Sequence, residues 1–154
     1  MSEMANILDE LRRIHDKDAW HGAALKESLA DVTAEQAAAR PVKEAHSIWE
    51  IVRHITVWEN VFRLRLEGHP VTEPEEGDFP PVEDISQEAW AEALRQLDGC
   101  HERLLQTVAG LDDSVLPEKV PGKDYSTRFL LDGVVRHHVY HAGQIALLKK
   151  SFAP

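Results

Sequence analysis

The chain is poor in cysteine, in aromatic side chains, in clustered basic charge and in long apolar runs, and each shortage removes a class of protein. A single cysteine, Cys100, leaves no intrachain disulfide and suits a reducing compartment. No apolar run approaches the roughly 20 residues that a helix needs to cross a bilayer, so a membrane partner is not expected. Residues Met1 to Asn6 lack the basic-then-apolar layout of an export signal, and the expected location is cytoplasmic. Against 27 acidic residues there are only 17 Lys and Arg, a net charge of −10. The basic residues are scattered, with only Arg12-Arg13 and Lys149-Lys150 adjacent. Nucleic acids are held by clustered cations that neutralise phosphates, so no nucleic-acid partner is expected. What the chain has in excess is histidine, nine in 154 residues.

The apolar pattern is helical throughout. Between residues 3 and 30, Ile7, Leu8, Leu11, Ile14, Ala19, Ala24, Leu25 and Leu29 recur mostly at three- and four-residue steps. This spacing predicts one long first helix, with Gly22 in its interior at a cost of about 1 kcal/mol. Thr33-Ala34-Glu35-Gln36 has the capping-box form and predicts a short helical turn that Pro41 ends. Ser47-Ile48-Trp49-Glu50 is a second capping box and opens a helix from about 48 to Glu67, with Gly68 as its left-handed cap. Residues 68 to 85 are rich in proline, glycine and acid and read as an exposed loop. Its Glu73, Glu75, Glu76 and Asp78 lack the ligand spacing of a calcium loop. Ser86 caps the next helix, which Gly110 stops, and Ser126 or Thr127 caps a last one running to about Lys150. Four long helices without a strand pattern predict an all-α four-helix bundle with long crossover loops, in a single domain over residues 1–154. Trp49 and Trp58, on different sides of their helix, suggest surplus apolar surface and a homodimer.

The histidines carry the functional signal through their phase. Leu130, Val134, His137, His141, Ile145 and Leu148 follow one another at four- and three-residue steps, so two imidazoles lie on the stripe that faces the core. His54 lies in the apolar sector of the second long helix. Three neutral imidazoles with an open fourth position form a catalytic-zinc arrangement that also suits nickel or iron. The competing reading is a set of core histidines bonded to one another and to Tyr140 or Gln144. No carboxylate shares the stripe, which speaks against a centre built on paired glutamates. His15, His21, His46, His69 and His101 fall outside this group, and Cys100 reads as a small buried hydrophobe rather than a reactive thiolate.

The segments His46-Ser-Ile-Trp-Glu-Ile-Val-Arg-His-Ile55 and His137-His-Val-Tyr-His-Ala-Gly-Gln-Ile145, with Trp20-His21-Gly22 and Ala39-Arg40-Pro41, resemble the DinB-like (DinB/YfiT) superfamily. The resemblance spans nearly the whole chain. It implies a four-helix bundle with a divalent metal ion, zinc or nickel, held by His54, His137 and His141, and leaves His138 outside the ligand set. It also implies a metal-dependent enzyme such as an S-transferase that uses a low-molecular-weight thiol of the mycothiol or bacillithiol type. The alternatives are a metal-dependent hydrolase and a non-catalytic metal-binding or structural bundle. Glu50, His138 and Tyr140 are candidate general bases through nearness in sequence alone.

Overall fold

The computed structural model describes residues 2–152 and is all-helical. Four long helices, α1 (Glu3–His15), α4 (Ile48–Leu66), α5 (Gln87–Ala109) and α6 (Thr127–Lys150), form the bundle. Two five-residue helices, α2 (Leu25–Leu29) and α3 (Ala34–Ala38), lie in the first crossover, and a short 3₁₀ turn (Asp113–Val115) in the last. Each cap is set by local chemistry. Ser47 Oγ accepts from Glu50 N at 3.2 Å while Ser47 N donates to Glu50 Oε2 at 2.7 Å, and Thr33 with Gln36 repeats the exchange. Ser86 and Ser126 accept from the backbone three residues on. Gly68 closes α4 at φ 93°, where a side chain would be strained.

The first helix is shorter than its apolar spacing predicts. It ends at His15, Asp18 adopts a left-handed φ of 64°, Gly22 turns at φ 130°, and helix resumes only at Leu25. Aspartate tolerates the left-handed region better than most residues. The pattern across the break rests on Ala19 and Ala24, whose small side chains gain little from burial in either conformation. Trp20, inside the break, is fully exposed. Gly22 is therefore a turn glycine, not a helical one.

The core has two apolar layers. One gathers Leu25, Leu29, Ile48, Trp49, Val52, Ile55, Trp90, Leu97, Ile145 and Leu148; the other gathers Met4, Leu11, Phe62, Leu104, Val108, Leu131 and Val134. Where these layers meet along α4, α5 and α6, polar side chains turn inward: His54 and Glu59, His101, and His137, His138 and His141. Trp49 is buried against Trp90, ring centroids 5.1 Å apart, and the Trp58 indole N–H donates to Asp78 Oδ1 at 2.6 Å. Trp49 is thus a core residue, while Trp58 stays half-buried at the surface under the acidic loop. Among the described residues no helix is long and apolar enough to cross a membrane.

Candidate metal centre

α4 and α6 bring His54, His137 and His141 together in the polar belt. His137 and His141, one turn apart on α6, meet His54 across the helix pair. His54 Nε2 lies 2.9 Å from His137 Nε2, and His141 Nε2 lies 3.2 Å from the same atom. The outer nitrogens explain why. His54 Nδ1 is 2.7 Å from the backbone oxygen of Asp78, which can only accept, so Nδ1 carries the hydrogen and Nε2 presents a lone pair. His141 Nδ1 is held in the same sense by Gln144 Oε1 at 2.6 Å. One ring proton on His137 could bridge a single contact and would leave the other as two lone pairs facing each other.

A divalent cation removes that conflict. Tetrahedral coordination at Zn–N distances near 2.0–2.1 Å puts ligand nitrogens about 3.3 Å apart, close to the observed separations. Protonation states agree: burial, then the neighbouring imidazoles, push the His137 pKa down to about 3, and burial also lowers His54 and His141. All three are held in the neutral, ligating form. The donor set therefore fits a divalent ion.

The acidic loop, read from the sequence as a solvated connector, packs on this centre. Besides the Asp78 contacts with His54 and Trp58, Phe79 stacks between His46 and His54 at centroid distances of 3.6 and 4.2 Å. Phe62 meets His137 edge-on at 5.5 Å. Apolar rings thus line one side of the nitrogens and keep water from their flank.

Of the candidate bases, none contacts the three imidazoles as a base should. Glu50 caps Ser47 and pairs with Arg40. Tyr140 is exposed and meets His141 through a ring edge at 5.1 Å. His138 turns away from His137 and lies 3.0 Å from Glu59 Oε1. Burial, the largest influence, raises the pKa of Cys100, opposite to what a nucleophilic thiolate needs.

Sequence reasoning missed a second buried group. Glu59, His15 and His101 gather with His138, all nearly inaccessible to solvent. No carboxylate lies on the α6 stripe itself, but α4 brings one, Glu59, against His138 from across the helix pair. The signal was present: Glu59 stands four residues after Ile55 and three before Phe62, in an apolar row. His15 likewise follows Leu11 by four, and His101 follows Leu97 by four.

No curated protein and no solved structure matches the chain. A family model described as DinB superfamily matches residues 17–145, a span that includes His54, His137 and His141, the whole of α4 and α5 and most of α6, but not α1. The match covers most of the sequence, and the chain belongs to the DinB superfamily.

Proposed function

We propose that the protein is a metal-dependent enzyme of the thiol S-transferase type, holding a zinc or nickel ion through Nε2 of His54, His137 and His141. The observation that carries this is the convergence of three Nε2 atoms within one small space, two of them with the opposite ring nitrogen tied to an oxygen acceptor. A bound divalent ion with an open position would supply Lewis acidity that lowers the pKa of a small thiol toward neutrality. The chain's own part is to keep three imidazoles neutral, to fix their tautomers through Asp78 and Gln144, and to shield the site with Phe62 and Phe79. A thiol's sulfur would then bond to an electrophilic carbon while the leaving group departs and the thiol proton passes to solvent.

The proposed partners are a low-molecular-weight thiol and an electrophilic small molecule. A homodimer is a separate expectation that gel filtration tests. Metal analysis of tag-free protein should find about one equivalent lost on His54→Ala together with His141→Ala. Consumption of an electrophile should require both metal and thiol. Turnover of an ester with metal and no thiol would instead assign a hydrolase. Metal binding with neither activity would assign a non-catalytic module.

A further inference from the structure

The belt holds a second constellation that the function above does not use. His15 of α1, Glu59 of α4, His101 of α5 and His138 of α6 each send a side chain to the bundle axis, one from every long helix. Their exposures are 2, 0, 2 and 1 %. One donor atom from each lies within 4.8 Å of the other three.

The polar atoms here are poorly satisfied by protein. Glu59 Oε1 accepts from His101 Nδ1 at 2.7 Å, and His138 Nε2 approaches it to 3.0 Å without hydrogen-bond alignment. Glu59 Oε2, His15 Nδ1, His101 Nε2 and both His138 nitrogens have no hydrogen-bond partner among the described residues. Buried polar groups are almost always paired, and so many orphans in one place call for a missing partner. Their chemistry specifies its charge. A carboxylate at 0 % exposure needs a cation, and the facing atoms are nitrogens that offer lone pairs when neutral.

His15 shows how such a partner would be held. Its Nε2 is 2.9 Å from Asp98 Oδ1, a carboxylate outside the cluster, which leaves Nδ1 bare and buried beside the other donors. A carboxylate on the outer nitrogen and a lone pair on the inner one is how metal-ligating histidines are oriented. His15 also stacks on His101 at 3.9 Å with only 5° between planes, an arrangement that disfavours charge on both rings. Two charged imidazoles around one glutamate would leave a net positive charge in the core and would not relieve Oε2.

We propose that His15, Glu59, His101 and His138 form a second metal site, a closed three-histidine, one-carboxylate site for a divalent transition ion such as zinc. With every ligand buried it has no open position for a substrate, so its role is structural: it ties all four long helices together next to the first site. His15 lies before the stretch matched by the family model, so that comparison does not cover the full ligand set.

The test counts metal in chelator-treated protein after reconstitution with Zn²⁺ or Co²⁺ and dialysis. The wild type should retain about two equivalents per chain, and His54→Ala with His141→Ala about one. Adding Glu59→Gln to that variant should bring retention close to zero, and Glu59→Gln alone should leave about one. Retention of nothing by the His54/His141 variant overturns the second site. An equivalent that survives in the triple His54/His141/Glu59 variant overturns it too, because the ion would then sit on surface histidines such as His21 or His69. If circular dichroism shows that Glu59→Gln variants do not fold, X-ray absorption of the cobalt-loaded His54/His141 variant decides. Several imidazoles around the ion uphold the site, and a water-dominated shell rejects it. Protein that keeps metal in the His54/His141 variant but loses all of it on Glu59→Gln would reject the first site and uphold this one.

Discussion

At the scale of single residues, one ring nitrogen engaged outward turns the other inward. His54 through Asp78, His141 through Gln144 and His15 through Asp98 all follow that rule. His137 has no such partner among the described residues: its Nδ1 is buried and unpaired there, and its pKa is lowered to about 3. An unfolded histidine takes its proton near pH 6.5, whereas folded His137 refuses it until about pH 3. Above 6.5 this group leaves stability unchanged; as pH falls from 6.5 toward 3 the unfolded chain gains protons and stability drops. Urea unfolding of the metal-free protein at pH 7.5 and pH 5 should show that loss, and His137→Ala should show less of it. With His141→Ala, the thermal stabilisation by added Zn²⁺ should fall by the share of one site. Saturating a site at a hundredfold excess over Kd stabilises by about 2.7 kcal/mol, on the order of 5–10 °C for a domain this size. Scanning calorimetry with and without metal reads the difference.

At the scale of elements, caps and stops were legible in the sequence because they are local chemistry. Ser47, Ser86, Ser126 and Gly68 act where their neighbours in the chain place them, and a serine that accepts from the backbone N–H three residues on needs no distant contact to cap. Ser47→Ala should cost about 1 kcal/mol in denaturant unfolding, since it removes the acceptor for Glu50 N and half of a reciprocal pair. The break after His15 was not legible. A left-handed Asp18 competes with continued helix by a small margin, and contacts elsewhere choose between them. Trp20→Ser in that break should change stability by no more than about 0.5 kcal/mol, because the ring is fully exposed. A larger loss in the same unfolding experiment would show that the ring has a partner.

At the scale of the whole molecule, two apolar layers enclose a polar belt that carries the inward histidines and Glu59. Leu104→Ala, in the layer away from His54, should destabilise by about 2–5 kcal/mol while leaving metal stoichiometry as in the wild type. Calorimetry and metal analysis on the same preparation check both halves. The sequence alone determined the helical class, the boundaries of three of the four long helices and the inward phase of His54, His137 and His141, because a 3.6-residue period orients a side chain wherever the helix goes. Only the tertiary structure decided what each inward group meets. Glu59, His15 and His101 sit in their helical stripes like any core residue, and their meeting with His138 depends on how four helices cross, which no spacing within one helix encodes. The acidic loop is the same case: Asp78 and Phe79 acquire their place at His54 from the path of a crossover whose periodicity is nil.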